Sequence, residues 1–459
     1  MAKFGGGCLR DASDFLRVAE IIKQDQAEGV VVVVSAVFGV TDMLYNGARY
    51  ALNSEASIPQ TMRNIRTRHL DIIEAGVHNP VIMVQVKRLI EERLQKLERL
   101  LYGVAYIGEL TESVRVLVLS QGERLAAVIL AHVLQASGID SEVLETDCIG
   151  LLTDNVFDGA SANLSRARYN IQRQVTPLIT SNATPVITGF FGCNEAGQTT
   201  TFGRNGSDYS AAVIACALDA RVLDIWKDVN GFMTADPKII EHAIPIELLS
   251  YSEAAELSYF GAKILHPRTV EPLRDSNIEI NIRNIRSPDG PRTVIWPRGQ
   301  AERDVIKSIA CNSGISVLKI HGAGVGFKPG IIGEIGKTLS LVNINIFSVI
   351  TSQTCINLLL DSRDSLMSRD ALLPLVGGVI GEIDVRDDLA LIAVVGEGLL
   401  TTRGLAARVF SAVAESGVNV EMFSAGASDV AYYFIVKRED MEPAIQAVHR
   451  SFFESKATT

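Results

Sequence analysis

Apolar residues along this chain gather into short runs that end in small or polar residues. Four stand out: VVVVVSAVFG at 30–39, VLVLSQGE at 116–123, PVITGFFG at 185–192 and VLDIWKDVNG at 222–231. Runs of this length, bounded by turn residues, predict strands buried on both faces of a parallel sheet. Helical stretches fall between them, including 10–27, 124–137 and 208–218. This alternation predicts an α/β domain with helices on both faces of a mainly parallel sheet, whose ligands lie beyond the carboxyl ends of the strands. The segment PVIMVQVKRLIEERLQKLERLL at 80–101 opens with a proline suited to a first helical turn. It places Leu89, Leu94, Leu97 and Leu101 among charges, so it reads as a long amphipathic helix packed on its neighbours.

The pattern changes near 286–303, where RSPDGPRTVIWPRGQAER concentrates proline, glycine and charge and marks a boundary. An internal repeat follows. Residues 316–350 match 390–424 as strand, glycine loop, helix, asparagine turn and strand, the order expected of two βαββαβ units. The first copy is completed by a strand at 355–360, a helix at 364–376 and a strand at 379–386. The second stops at a helix over 440–453 and lacks a strand. The orphan run VIKSIAC at 305–311 is expected to supply it, which would interleave the two units.

With 459 residues and 47% hydrophobic composition, the chain is expected to divide into two or three domains around a large core. Its formal net charge of -10 argues against a nucleic-acid partner. No apolar run approaches the roughly 18 residues that span a bilayer, and the start lacks the charged and apolar regions of an export signal. A soluble, cytoplasmic protein without a membrane partner is expected. Cys8, Cys148, Cys193, Cys216, Cys311 and Cys355 are scattered, with no Cys-x-x-Cys pair and no histidines at ligand spacing, so they read as free thiols and no metal site is expected.

Five stretches carry candidate chemistry. In KFGG, Lys3 precedes Gly5 and Gly6, which let backbone N–H groups approach phosphate oxygens; a tight turn with a solvated lysine is the alternative. In TFGRNGSDYSAA at 201–212, Arg204 can fork a carboxylate and Ser207 and Asp208 open a helix of small residues, as an anion site or as an ordinary N-cap. In FGAKILHPRT at 260–269, Lys263 and His266 either end a surface helix or bring a second lysine to a phosphoryl-transfer site. Ser35 and Thr41 in SAVFGVTD and Glu123 in SQGERL are each turn or cap residues when read singly. Together they offer two hydroxyls and a carboxylate, and Glu123 with Arg204 suits the ammonium and carboxylate of a zwitterion.

In this order, these segments resemble the aspartokinases of the amino-acid kinase family: KFGG, SAVFGVTD, SQGERL, TGFFG, GRNGSDYSAA, DVNGFMTADPK and ELSYFGAKILHPRT, then two ACT-type repeats. The resemblance implies an amino-acid kinase fold over 1–285, a linker at 286–303 and an ACT region over 304–459, with units at 312–388 and 389–459. It implies transfer of the ATP γ-phosphate to the side-chain carboxylate of L-aspartate, giving 4-phospho-L-aspartate, the first step toward lysine, threonine and methionine. Magnesium would be held mainly through the nucleotide phosphates. By the same resemblance Lys3, Asp208 and Lys263 are catalytic. Lys3, Phe4, Gly5, Gly6, Ser35, Lys227, Asp228, Met233, Asp236, Lys238 and Lys263 meet ATP, and Ser35, Thr41, Glu123, Arg204, Asn205, Gly206 and Ser207 meet aspartate. Lysine or threonine is the implied effector at the ACT repeats, and a homodimer or larger assembly is implied.

The chain also departs from the family pattern. Gly7 and Cys8 stand where threonine and serine usually follow KFGG, Lys227 stands for a threonine, Met233 for an aromatic residue and Lys238 for an arginine. These departures leave a second reading open, a catalytically weak paralogue that senses an amino acid as a regulatory subunit.

Overall fold

The computed structural model describes residues 1–25, 29–203, 205–262, 264–297 and 305–454. Its contacts divide the chain into two units. The first comprises Met1–Phe232, Pro245–Ala255 and Lys263–Gly299, the second Met233–Ile244, Glu256–Ala262 and Gln300–Thr459.

The strands of the first unit are β1 (Ala2–Phe4), β2 (Val32–Val34), β3 (Ser141–Leu144), β4 (Thr184–Thr188), β5 (Phe191–Cys193), β6 (Thr199–Thr201), β7 (Val222–Lys227), β8 (Leu248–Ser250), β9 (Glu279–Asn284) and β10 (Thr293–Trp296). Eight form one sheet in the order β3-β4-β2-β1-β7-β9-β10-β8, and β5 and β6 make a separate antiparallel ribbon. Pairing in the large sheet is parallel except between β9 and β10. Short β1 sits at its centre, with Lys3 opposite Val33 of β2 and Ile225 of β7. Main-chain pairing on both sides and the run of buried valines on β2 hold that register.

The helices are α1 (Ala12–Asp25), α2 (Val40–Asn53), α3 (Ile58–Gly76), α4 (Pro80–Ile107), α5 (Glu112–Leu119), α6 (Gln121–Ala136), α7 (Leu164–Thr180), α8 (Gly206–Ala217) and α9 (Tyr251–Tyr259). Helix α4 starts where the proline predicts, capped by the Asn79 side chain, and runs on to a left-handed cap at Gly108. Its Leu94, Leu97 and Leu101 are buried in the main core, with Leu89 packed against it.

One predicted strand is a helix. Residues 116–123 lie in α5 and the start of α6, with Thr111 capping α5 through its side chain at Val114 N (3.4 Å). A short apolar run has no period of its own. Here Val116, Val118 and Leu119 are buried side by side on helical turns, continuous with the alanine-rich α6. The helical stretch Glu112–Ala136 is thereby long and apolar enough to cross a membrane, contrary to the reading from run lengths, and 94% of its most apolar window is buried inside the protein. The boundary segment also differs from expectation. Thr293–Trp296 is strand β10, paired with β8 and β9, and residues 298–303 of the segment lie outside the described residues.

The second unit contains β11 (Ser308–Asn312), β12 (Ile315–His321), β13 (Ser348–Thr351), β14 (Cys355–Asp361), β15 (Glu382–Arg386), β16 (Leu389–Val395), β17 (Met422–Ser424) and β18 (Ala431–Lys437). Its helices are α10 (Ile331–Leu341), α11 (Ser365–Leu372), α12 (Leu405–Glu415) and α13 (Met441–His449). The strands form two antiparallel sheets, β13-β14-β12-β15 and β11-β16-β18-β17. The orphan strand therefore belongs to the second repeat. Ser308 to Asn312 pair with Val395 to Leu391 of β16, the place that β15 takes beside β12 in the first sheet. Residues 233–244 fold with this half of the chain. Ala235 and Ile240 share a core with Ile309, Val394 and Val448, and Ile309 N–H donates to Thr234 O at 2.9 Å.

Candidate active site

The site forms where the parallel strands of the first unit end. Side chains alternate along a strand, so Lys3, opposite Ile225, lies on the same face as Lys227 two residues further along β7. Both reach one carboxylate. Lys3 Nζ is 2.5 Å from Asp208 Oδ1 and Lys227 Nζ is 2.9 Å from Asp208 Oδ2. Lys3 and Asp208 are almost fully buried, whereas the Lys227 side chain is 18% exposed. Burial pushes the Asp208 carboxyl up, but Lys227 and Lys3 outweigh it and hold the group well below the usual carboxylate range. Burial lowers Lys3, and its pairing with Asp208 recovers only part of that. Two ammonium groups around one carboxylate leave an excess positive charge in a low-dielectric pocket, which an anionic ligand would neutralise.

Asp208 stands in the first turn of α8, where the helix dipole favours an anion. The turn before it is tight. Asn205 adopts a left-handed conformation (φ 60°), and a Cβ on Gly206 would lie 2.7 Å from Phe202 Cβ and 3.3 Å from Phe190 O. Ser207 is buried beside Asp208. Gly189, at the end of β4, donates to Val34 O at 2.8 Å; a Cβ there would lie 2.8 Å from that oxygen and 2.9 Å from Ser207 Cβ. Close approach at Gly189 thus sets α8 against the ends of β2 and β4.

The residues after Lys3 continue the site. Phe4 stacks on Trp226 (ring centroids 6.0 Å apart), Gly5 N–H donates to Trp226 O at 3.2 Å, and Gly6–Cys8 make one short 3-10 turn. Cys8 is fully buried, and burial pushes its thiol up to about 12, so it is a neutral group. Asp228 turns away from the lysines and accepts from Arg10 Nη2 at 2.6 Å. A Cβ at Gly7 would lie 3.1 Å from the Asp228 carboxyl group, so Gly7 leaves room for that pair.

On the β2 side, Ser35 N–H donates to Phe4 O at 3.1 Å, and Ala36 N–H donates to Glu123 Oε1 at 3.1 Å. Glu123 is buried at the start of α6, and its Oε2 has no protein partner among the described residues. Burial pushes its carboxyl up to about 8, with Lys3 among the groups opposing the rise. A Cβ on Gly122 would lie 2.7 Å from Ala36 Cβ, so glycine lets α6 approach this close. Thr41 lies in the first turn of α2, which Gly39 opens in a left-handed conformation. The site therefore holds a buried cationic cluster and, on its β2 side, an acid with an unpaired oxygen.

Among the residues expected from sequence, Lys3, Phe4, Gly5, Gly6, Ser35, Glu123, Gly206, Ser207, Asp208 and Lys227 come together here, with Asn205 in the turn before α8 and Asp228 paired to Arg10. Arg204 and Lys263 lie outside the described residues. Met233, Asp236 and Lys238 belong to the second unit, where Met233 O accepts from Ser308 Oγ at 2.7 Å and Asp236 Oδ1 accepts from Lys238 N–H at 2.9 Å. Sequence reading missed Arg10 and Arg268. The Arg268 guanidinium stacks over Tyr209 (4.6 Å to the ring centroid) and donates to Ser161 Oγ at 2.9 Å and to Ala160 O at 3.2 Å. Neighbouring His266 senses both Asp208 and Lys227, while burial keeps its imidazole below its ordinary value. The histidine–proline pair in FGAKILHPRT was the available signal.

One acidic cluster resembles a metal site. Glu145, Asp147 and Cys148 have ligand atoms within 4.8 Å of one another. Arg124 pairs with Asp147 Oδ2 at 2.5 Å and with Glu145, which Arg93 also engages, so these carboxylates are neutralised by arginines.

Comparison with known proteins gives a consistent result. Residues 2–284 match the model of the amino acid kinase family and residues 392–452 that of the ACT domain. Aspartokinase 1, chloroplastic, of Arabidopsis thaliana is 31% identical over 99% of this chain and 80% of its own length. The bifunctional aspartokinase/homoserine dehydrogenase of Buchnera aphidicola is 28% identical, and the chain spans 57% of its length. E. coli aspartokinase III in complex with aspartate and ADP is 27% identical with a TM-score of 0.86, covering 98% of this chain and 99% of that one. The same enzyme in complex with lysine and aspartate gives a TM-score of 0.81 at the same coverage.

Proposed function

The chain belongs to the amino acid kinase family, and on that premise we propose that it works as an aspartokinase under amino-acid control. The observation that carries this reading is the Lys3–Asp208–Lys227 cluster at the strand ends, with the buried acid Glu123 near enough for its carboxyl to sense Lys3. In the reaction, a side-chain carboxylate oxygen of L-aspartate bonds to the γ-phosphorus of ATP. The bond from that phosphorus to the β,γ-bridging oxygen breaks, and its electron pair leaves with ADP. The attacking carboxylate is ionised at neutral pH, so no general base is needed. Catalysis then depends on alignment and on cations that meet the charge spread over the transferred group.

Within this reading, Lys3 lies against the transferred phosphoryl group and Asp208 orients it. Phe4, Gly5, Gly6 and Ser35 line the phosphate side. Glu123 Oε2 takes the substrate ammonium, Thr41, Ser207 and the 205–206 turn border the substrate, and Arg204 takes its α-carboxylate. Lys263, Met233, Asp236 and Lys238 remain proposed nucleotide contacts on the strength of their motifs. Magnesium fits as an ion held mainly through the nucleotide phosphates, because Asp208 and Asp228 are each engaged by basic side chains. That ion would draw charge from the γ-phosphate.

The two interleaved repeats support control by a small amino acid. E. coli aspartokinase III forms a complex with lysine, and lysine or threonine is the proposed effector here, in a homodimer or larger assembly serving lysine and threonine biosynthesis. Purified protein with ATP, magnesium and L-aspartate, assayed with hydroxylamine as a trap for the acyl phosphate, tests the proposal. Aspartyl hydroxamate is expected. Its absence, together with lysine or threonine binding, would favour a regulatory subunit instead, the reading to which the hydroxyl-free Gly7 and the neutral buried Cys8 lend support.

A further inference from the structure

Asp208 is engaged on both oxygens, by Lys3 on one and by Lys227 on the other. A carboxylate held at one oxygen can swing about its last bond. Held at both, it has one orientation, and the Lys3 ammonium paired with it is fixed as well. The two lysines also differ in access. Lys3 is 3% exposed, while Lys227 at 18% is the more accessible and has donors beyond the one given to Asp208. The acid next to it in sequence does not compete, because Asp228 is paired with Arg10 at 2.6 Å.

From this geometry, and resting on the aspartokinase reading, we infer that Lys227 is a further active-site ammonium of the phosphoryl transfer. It locks the carboxylate that positions Lys3, and it adds a cation to the side of the pocket where Gly7 and Cys8 offer no hydroxyl. Its role is thus in turnover and is distinct from simple nucleotide affinity. Among the described residues, the charged and titratable groups around it are Lys3, Asp208, Cys8, Asp228 and His266.

The test is steady-state kinetics on K227M, which keeps most of the length of the side chain without its charge, and on K227R, which keeps charge and donors. K227M is expected to lower kcat at least tenfold with KM for L-aspartate within twofold of the parent, and K227R to regain at least threefold over K227M. Matched thermal midpoints exclude a folding defect; should K227M not fold, K227Q is read in the same way. Unchanged kcat with only KM for ATP raised would overturn the inference, as would K227R no better than K227M in folded protein. A parent protein that forms no aspartyl hydroxamate overturns the aspartokinase reading and this inference with it, whereas an active parent with an unaffected K227M overturns this inference alone.

Discussion

Glu123 offers the sharpest quantitative prediction, because a buried acid whose Oε2 has no partner among the described residues must change its protonation when a cation arrives. Raising its carboxyl from 4.5 to about 8 corresponds to roughly 5 kcal/mol of preference for the neutral form, at about 1.4 kcal/mol for each tenfold. At pH 7 the empty site is then protonated to roughly 0.9, from a tenfold excess of acid over carboxylate. A substrate ammonium bound at Oε2 favours the charged form and expels that proton. Calorimetric titration of L-aspartate at pH 7, in buffers of different ionisation enthalpy, should therefore report release of roughly 0.9 proton per site. Glu123→Gln should abolish the release and weaken aspartate binding roughly tenfold or more, the loss of a charged hydrogen bond. The same group sets a stability trend. Its folded-state value lies above its unfolded one, so the folded protein holds the extra proton between pH 4.5 and about 8. Stability should fall as pH rises through that window and level off above it, and Glu123→Gln should flatten the fall. Aspartate binding without proton release, or an unchanged release in the glutamine variant, would refute the reasoning.

Other substitutions probe the remaining parts of the site. Lys3→Ala and Asp208→Ala should each reduce hydroxamate formation severely. Asp208→Ala should also cost about 3–5 kcal/mol in denaturant unfolding, because it leaves two ammonium groups without their carboxylate. Cys8→Ser should keep or raise activity, since the thiol is neutral and serves as packing; lost activity in that variant would give the sulfur a role. Gly189→Ala should lower the thermal midpoint and activity together, by about 1–3 kcal/mol of overpacking, because the added methyl meets Val34 O at 2.8 Å and Ser207 Cβ at 2.9 Å. Gly261→Ala should be at least as damaging to stability, with φ at +136° and the new Cβ 2.0 Å from Cys311 O.

Where sequence reading succeeded and failed follows from the range of the forces involved. Strands β2 and β7 were legible because runs of β-branched and aromatic residues ending in small or polar ones suit few other structures. The run at 116–123 carried no such restriction, and a cap at Thr111 with an alanine-rich continuation made it helical. Strand β11 was found by counting elements, since a repeat that lacks a strand must take one from elsewhere. In the site, the glycine turn after Lys3 and the start of α8 were legible because glycine and a helix start have local signatures. The bond from Lys227 to Asp208 was not. It depends on the register of β1 against β7, which is fixed by main-chain pairing between segments far apart in the chain. The pairing of Arg10 with Asp228 was hidden for the same reason, and strand β10 was obscured by the proline and glycine residues that flank it.

In the proposed reading, loops from separate strands converge on one site for ATP and a zwitterionic acid. A crystal structure of the protein with L-aspartate and a non-hydrolysable ATP analogue tests it most directly. The account predicts terminal phosphate oxygens within hydrogen-bond distance of Lys3 and the aspartate ammonium at Glu123 Oε2. Nucleotide and amino acid bound away from the Lys3–Asp208 pair would contradict it.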